Sequence, residues 1–261
     1  MTIAILLAIG LVMGLFGGLL GIGGAVVMIP AMTMAFGENQ HLYQASAMIC
    51  TFFVSISAVF VHHRADVLVK STIKWMIPAG AAGIIAGVAV SNLPVFREEN
   101  SANLARLFGA FLIYVAIYNI LKFRTFEGGV SGFEMHRARE SATGASVTGL
   151  VTSTLGGLLG MGGGTVSTPL QQLLLKMPLK RAISNSSALI ASVALIGAVY
   201  KNATLYQHNA DFMESLRAAT VIIPGAVAGS LAGSRLMHKL PTRVVRIVFI
   251  LLVISASYKM L

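Results

Sequence analysis

Long stretches without a charged side chain alternate with short polar segments along the whole chain. Residues 1–37 and 141–175 contain no Lys, Arg, Asp or Glu. Other charge-free stretches are close to the roughly 20 residues that cross a bilayer as one helix; they are 39–63, 75–96, 107–121, 182–200, 218–234 and 247–258. This pattern predicts an all-α polytopic membrane protein, in contact with the lipid bilayer.

The two longest stretches exceed the thickness of a membrane. A helix of 35 residues would reach about 52 Å, against a hydrocarbon core of about 30 Å. Each stretch has a glycine-rich sequence near its middle: "GGLLGIGGAVVMIP" begins at Gly17 and "GGLLGMGGGTVSTP" begins at Gly156, 139 positions later. Glycine suits sharp bends and close backbone approach. We therefore expect each stretch to fold as a broken hairpin.

In the first hairpin, a helix from about Ile3 to Phe16 leads to a break at Gly17–Gly24, and a short helix runs from near Ala25 to about Phe36. In the second, a break at Gly156–Gly164 leads to a short helix that starts near Thr165. Each short helix directs its N-terminus, with free N–H groups and partial positive charge, toward the middle of the membrane.

The two halves of the chain resemble each other beyond these glycines. "PAGAAGIIAG" begins at Pro78 and "PGAVAGSLAG" at Pro224, and a third pair of similar segments begins at Ala105 and Val245. We predict two repeats, 1–122 and 141–261, joined by a polar cytoplasmic linker, 123–140. Each repeat has a broken hairpin (3–36 and 141–175) followed by three spans, at about 45–62, 75–93 and 104–121, and at about 184–200, 218–236 and 244–260.

The distribution of positive charge favours hairpins over simple crossings. With both glycine-rich stretches folded as hairpins, only Arg97, Arg106, Lys201, Arg217 and Lys259, of 19 Lys and Arg residues, lie on one side. Lys and Arg concentrate in cytoplasmic loops of membrane proteins. The two repeats then have inverted orientations, as in secondary transporters, and both termini lie outside the cytoplasm. The net charge of +10 therefore reflects topology and does not indicate nucleic-acid binding.

Two helix N-termini that face one cavity form an anion site without a buried cation. Irregular backbone at membrane depth persists where it is buried in protein or lines a cavity, and small polar side chains follow each break. The candidate substrate-binding residues are Gly21, Gly23, Gly24, Ala25, Ser46, Gly160, Gly162, Gly163, Gly164, Thr165, Ser184, Asn185 and Ser186. Ser, Thr and Gly also serve as packing residues in membrane helices, which is the alternative for each one alone.

Other chemistry finds little support in the sequence. The spans contain no Asp or Glu, the "GVSG" at Gly129 lies in the linker, and "GIGG" is not a nucleotide-binding fingerprint. We predict no enzyme activity, no cofactor and no metal site. An anion channel on the same scaffold and, less favoured, a membrane-embedded enzyme are the alternatives to a transporter. The small-residue stripes after Pro78 and Pro224 permit close helix contact within the chain or between two copies, which leaves a homodimer open.

The doubled glycine motif, each copy followed by a small polar stretch and then a "P…AG…AG" helix, resembles the sulfite exporter TauE/SafE family, also called the toluene-sulfonate uptake permeases. The resemblance extends from Gly14 to Leu261. It implies a transporter that moves sulfite, an organosulfonate or a related organic anion across a bacterial inner membrane. We expect alternating access around the two hairpins, with Pro30, Pro78, Pro169 and Pro224 as hinge positions.

Overall fold

The fold is described from a computed structural model of the chain. The structure describes residues 2–37, 39–93 and 141–241, together with single residues between 95 and 117 and between 244 and 254. The predicted linker at 123–140 lies outside the described residues. So does most of each of the predicted spans at 104–121 and 244–260.

Helices account for nearly all of the described residues, and no strand occurs among them. In chain order they are α1 (Thr2–Leu20), α2 (Ala25–Phe36), α3 (Gln40–Arg64), α4 (Lys70–Ser91), α5 (Ala142–Leu159), α6 (Gly164–Leu174), α7 (Leu179–Ala203), a 3₁₀ turn (Leu205–His208) and α8 (Phe212–Lys239). In the described part of the chain, α1, α3, α4, α7 and α8 are long and apolar enough to cross a membrane. The all-helical prediction is thereby confirmed for the described residues, and the number of candidate spans among them agrees with a multi-pass protein.

The helix breaks are shorter than the sequence suggested. Helix α1 continues through Gly17 and Gly18, and the first break is confined to residues 21–24; helix α5 likewise continues to Leu159, and the second break spans 160–163. The expected breaks at Gly17–Gly24 and Gly156–Gly164 were therefore too long. The early glycines of each motif serve packing instead, because a Cβ on Gly17 would meet the backbone of Gly23 and Gly24.

Two pairs of parallel helices pack through small residues. A Cβ added at Gly10, Gly14 or Gly18 of α1 would overlap backbone carbonyl oxygens of α8. Helices α4 and α5 pack in the same way, with Gly149 and Gly157 of α5 against backbone carbonyls of α4. Small residues at regular spacing let membrane helices approach closely. Each pair joins one helix from residues 1–122 to one from 141–261.

Helices α3 and α7 form the centre of the described structure and run antiparallel. Asn202, near the end of α7, donates to the carbonyl oxygen of Ala45 near the beginning of α3, with N and O 3.4 Å apart. Farther along the pair, the Gly197 Cα lies beside the Met48 side chain. Both helices contain 25 residues, and the positions of their ends differ by 139, the spacing between the two glycine motifs.

Candidate anion site between the two glycine loops

We call residues 21–24 the first loop and residues 160–163 the second loop. Three glycines in each loop have left-handed backbone angles: φ is 65°, 80° and 86° in the first loop and 75°, 67° and 85° in the second. In order they are Gly21, Gly23 and Gly24, then Gly160, Gly162 and Gly163. Side chains with a Cβ rarely adopt these angles. The two loops therefore share one backbone conformation, which explains why the same glycines recur 139 positions apart.

The two loops meet at the crossing of α3 and α7. A Cβ on Gly23 would lie 2.5 Å from the Thr51 methyl group and 3.5 Å from Ile190 Cγ2. A Cβ on Gly162 would meet the same two side chains, at 3.1 and 2.9 Å. At Gly164, a Cβ would lie 2.5 Å from the carbonyl oxygen of Gly21. Gly23 and Gly162 are thus brought together around Thr51 and Ile190, whereas the other loop glycines pack on other neighbours: Gly21 on Ile183, Gly24 on Met13, Gly160 on Gln44 and Gly163 on Thr152.

Each loop leads directly into the N-terminus of a short helix. Gly24 precedes α2 and Gly163 precedes α6, and neither helix has a side-chain cap. Within the described ranges, no acceptor is found for the backbone N–H groups of Gly24 and Ala25, or for those of Gly163 and Gly164. Such unpaired N–H groups at a helix N-terminus favour an anion. Ala25, Gly164 and Thr165 are buried, so the two N-termini lie inside the protein.

Polar side chains gather around the second loop. Thr165 and Ser167 on α6 are fully buried, and Gln171 donates to the hydroxyl groups of Ser167 and Ser186, both at 3.0 Å. Gln44 of α3 packs against Gly160, and both polar atoms of its buried amide have no hydrogen-bond partner in the described part of the chain. Buried polar groups in native proteins normally have a partner. A bound ligand or water would supply one here.

The predicted serines and asparagine do not lie together. Ser46 donates to the Leu42 carbonyl at 2.9 Å and lies 3.2 Å from the Ser215 hydroxyl, whereas the Asn185 amide oxygen accepts from the Val69 N–H at 2.9 Å. Ser46 lies five residues before Thr51, and Asn185 lies five residues before Ile190, which is about 7.5 Å along each helix. Because the two helices are antiparallel, Ser46 and Asn185 lie on opposite sides of the crossing.

Two further candidates lie near Asn185 on α7. Ser184 donates to the carbonyl of Lys180 within its own helix, and the Ser186 hydroxyl lies 3.2 Å from that of Thr168 on α6. Among the predicted serines and asparagine, Ser186 is therefore the one whose side chain contacts α6, the helix that follows the second loop. Substrate binding by Ser46, Ser184 and Asn185 stays a prediction, although in this conformation their side chains are held by protein groups.

Several residues of the site were not expected from the sequence. Thr51, Ile190 and Gln44 contact the loops, and Gln171 lies on α6 and donates to Ala182 and Ser186 of α7. The 139-residue spacing could have pointed to Thr51 and Ile190, since adding it to one gives the other. It also pairs Gln44 with Ile183, whose carbonyl oxygen would lie 2.6 Å from a Cβ on Gly21.

A separate cavity of about 690 Å³ lies between α3, α7 and the beginning of α8. Its lining is mostly apolar, with Phe52, Phe53, Val199 and Phe212 among the side chains. It includes none of the loop glycines. The candidate anion site is therefore distinct from this cavity and consists of the closed junction between the two loops.

Comparison with known proteins places this geometry in a family. The family model described as sulfite exporter TauE/SafE matches residues 6–260. The chain belongs to the sulfite exporter TauE/SafE family. The matched residues include both loops and the described helices.

Curated relatives of low identity are named as probable membrane transporters. A probable membrane transporter protein of Bacillus subtilis, YunE, is 26% identical, and the match covers 99% of this chain and 98% of the relative. The probable membrane transporter protein MamO of Magnetospirillum gryphiswaldense is 28% identical across the whole chain. The chain spans only 45% of the length of that MamO protein. No solved structure matches the chain.

Proposed function

We propose that this TauE/SafE transporter moves a small oxyanion, such as sulfite or an organosulfonate, across the bacterial inner membrane, and that the anion is held between the first and second loops. The observation that carries the proposal is the junction of two uncapped helix N-termini at buried glycine loops. Helix N-termini bind oxyanions through free N–H groups and the helix dipole. The family's printed description, which names sulfite, agrees with this chemistry.

The second loop is the proposed centre of substrate recognition. It is followed by Thr165 and Ser167, and Gln44 brings an unpaired buried amide beside it. Hydroxyl and amide groups donate to sulfonate and sulfite oxygens without adding a cation that would hold the anion too tightly. We propose Gln44 and Thr165 as the side chains that add specificity to the backbone contacts.

Alternating access is the proposed mechanism, on an inverted-repeat architecture with both termini outside the cytoplasm. Its support comes from the antiparallel α3 and α7, and from the parallel pairs that each join one helix of residues 1–122 to one of 141–261. Prolines interrupt α2, α4, α6 and α8 internally. Since proline removes a helix hydrogen bond and permits bending, these positions would allow one half to rock against the other.

The test is anion flux into proteoliposomes that contain the purified protein. Labelled sulfite is the tracer, and sulfate, a small sulfonate, a carboxylate and chloride are the competitors, with equal pH on both sides. We expect saturable flux that the sulfonate inhibits and chloride does not. Flux of a carboxylate with none of sulfite would overturn the proposed substrate and leave the family assignment intact.

The same preparation separates a carrier from a channel. In a carrier, unlabelled substrate inside the vesicles accelerates entry of labelled substrate, because the loaded site returns in exchange. A channel has no such return step. Acceleration by internal sulfite is therefore expected, and its absence together with weakly saturating flux would favour an anion channel.

A further inference from the structure

Away from the loops, two groups of Lys and His side chains lie at opposite ends of the α3–α7 pair. The Lys201 cluster consists of Lys201, His41, Ser91, Asn92 and His208. The His62 cluster consists of His62, His238 and Lys180. Neither group was expected from the sequence, which placed Lys201 only among the few positive charges on one side of the membrane.

In the Lys201 cluster, a fully buried amine is surrounded by neutral acceptors. Lys201 Nζ lies 2.9 Å from His41 Nδ1, 2.9 Å from Ser91 Oγ and 3.4 Å from Asn92 Oδ1. These three acceptors match the three donors of an ammonium group. The His41 ring stacks on that of His208, with centroids 3.5 Å apart. Because every Lys201 donor has an acceptor, the amine offers no free donor to a bound anion.

In the His62 cluster, two imidazoles share a short contact. His62 Nδ1 lies 3.1 Å from His238 Nε2, and Lys180 Nζ donates to the His238 carbonyl oxygen at 3.1 Å. His62 is fully buried, and its Nε2 has no partner among the residues that the structure describes. A contact between two ring nitrogens requires one to donate and the other to accept.

The two clusters occupy equivalent places in the two halves. Adding 139 to His41 gives Lys180, and adding it to His62 gives Lys201, so Lys and His exchange places between the clusters. His41 and His62 are 21 residues apart on α3, or about 32 Å along a helix. This distance is close to the thickness of the hydrocarbon core, about 30 Å. One cluster thus lies near each end of a membrane-spanning unit.

Each cluster joins the two halves through a pair of basic nitrogens that can share one proton. His41 contacts Lys201 across the halves, and His62 contacts His238 in the same way. A neutral His62–His238 pair and a pair with one positive charge both keep an N–H···N hydrogen bond, as does the Lys201–His41 pair with one positive charge. A further proton on a pair that already carries one positive charge would place two cations about 3 Å apart in a buried site, where like charges repel strongly. Double protonation and this contact between the halves therefore exclude each other.

We infer that the Lys201 cluster and the His62 cluster are proton-binding sites, one near each end of the transporter, that couple proton movement to anion transport. This inference rests on the function proposed above. Uptake of a proton by a pair that already carries one positive charge breaks the contact between the halves at that end and opens it. The proton's positive charge is balanced by the negative charge of the oxyanion, so the two move in the same direction.

Other charged groups lie close to the clusters along the chain. Lys201 contacts no carboxylate in the described structure. The described charged or titratable groups on adjoining segments are Tyr43, Tyr200, Tyr206, Asp211, Glu214 and Arg217 for the Lys201 cluster, and His63, Arg64, Asp66, Lys70, Arg181, Arg235 and Lys239 for the His62 cluster. Positive charge predominates near the His62 cluster, which favours release of an added proton once the anion has left.

The experiment compares two assays on the reconstituted full chain, with labelled methanesulfonate as the probe because its charge is constant across the pH range used. Exchange against internal unlabelled probe at equal pH requires no net proton movement. Accumulation under an acid-outside gradient requires coupling. In His62→Gln, we expect exchange to be retained and gradient-driven accumulation to fall at least about fivefold, in the usual range of coupling between sites.

His63→Gln is the matched control, because His63 is the exposed neighbour of His62, and it should retain both activities. His238→Gln removes the other member of the pair and should reproduce the His62→Gln result; it also keeps the inference testable if one variant fails to fold. Normal accumulation by both variants, or loss of exchange by a folded variant, would overturn the inference. If the wild-type protein exchanged the probe but did not respond to the pH gradient, the inferred proton coupling would be overturned and the proposed function would stand. If the wild-type protein did not exchange the probe, the proposed function would be overturned as well.

Discussion

The two glycine loops have the same backbone and different surroundings. The three left-handed glycines of each differ in φ by 13° or less. The first loop is followed by Ala25 and Val26, and the second by Gly164 and Thr165. Gln44 packs against Gly160 of the second loop, whereas the equivalent residue, Ile183, packs against Gly21 of the first loop. Backbone shape is therefore shared by both loops, while side-chain polarity is concentrated at the second.

This difference separates two requirements of an anion site in a membrane. The backbone conformation aims N–H groups at the junction, and it needs glycine in both halves. Hydroxyl and amide groups are needed only where they reach the ligand, and one side of a small oxyanion is enough. In the proposed function, the first loop would be mainly a source of helix dipole, and the second would supply most of the specificity.

The largest effect is expected from substitutions that destroy the shared backbone. Gly23→Leu and Gly162→Leu should each reduce anion flux at least about 100-fold, because a left-handed side chain is strained by about 1–2 kcal/mol and also overlaps Thr51 and Ile190. The measurement is flux per inserted protein in proteoliposomes. Equal losses in the two variants would fit a common role.

Gly37→Ala is the control for strain without overlap. Gly37 has a φ of 88°, and nothing lies within 4 Å of an added Cβ. Its ψ of −171° lies in a region that is essentially confined to glycine, so this variant should lose about 1–3 kcal/mol of stability and retain flux. If Gly162→Leu transported normally, the close junction of the loops would not be required for transport.

A second test exchanges polarity between the loops. In the described structure, the Thr165 hydroxyl donates only to Met161 Sδ, at 3.3 Å, and a thioether is a weak acceptor that an anion would replace. Thr165→Val should therefore raise the KM for the anion about tenfold, because it removes a hydrogen bond to a charged group of about 1.5 kcal/mol. At the equivalent position, Val26→Thr should leave KM nearly unchanged and lower stability by about 1–3 kcal/mol, because it buries a hydroxyl without an assigned partner. KM from concentration-dependent flux and Tm in detergent distinguish the two. A similar KM increase in both variants would remove the proposed asymmetry.

The sequence predicted the position of the loops well and their extent less well. The start of α2 at Ala25 agrees with the expectation, because the last left-handed glycine comes immediately before it. Gly17 and Gly18 were assigned to the break and are helical instead. Glycine serves bends and close packing alike, and the pattern does not reveal which. Only the neighbours of Gly17 and Gly18, on distant segments of the chain, decide the matter.

Long-range contacts also account for what the sequence missed. Lys201 follows an apolar stretch and therefore looked like a charge at the membrane edge. Its burial depends on His41 and Ser91, which lie 160 and 110 positions away. Gln44 was overlooked because its proposed role depends on its contact with Gly160, which lies on the second hairpin. Charge counts and repeats predict which segments cross the membrane. They do not predict which residues of the two halves contact each other, which follows only once the halves are aligned residue by residue.

A smaller effect should follow the removal of the Gln44 amide. Gln44→Met keeps the length of the side chain and should raise KM about fivefold, through loss of a hydrogen bond of about 1 kcal/mol. Tm should not fall, because neither atom of the amide has a partner in the described structure. Gln40→Met is the control: Gln40 lies one turn earlier on α3, is buried and has an unpaired amide nitrogen. An equal change in KM for both variants would argue against direct contact between Gln44 and the anion.

The smallest effect on transport is expected at Ser46 and Asn185, which occupy equivalent positions on α3 and α7. Ser46→Ala and Asn185→Ala should each change KM less than about twofold, because their polar atoms already bond to protein groups on opposite sides of the crossing. Asn185→Ala should lower stability more, by about 1–3 kcal/mol, since it leaves the Val69 N–H without its acceptor. Ser46→Ala removes a hydroxyl whose acceptors belong to α3 and α8, and about 1 kcal/mol is expected. A tenfold increase in KM with unchanged Tm would instead mean that these side chains leave their present partners to bind the anion during transport.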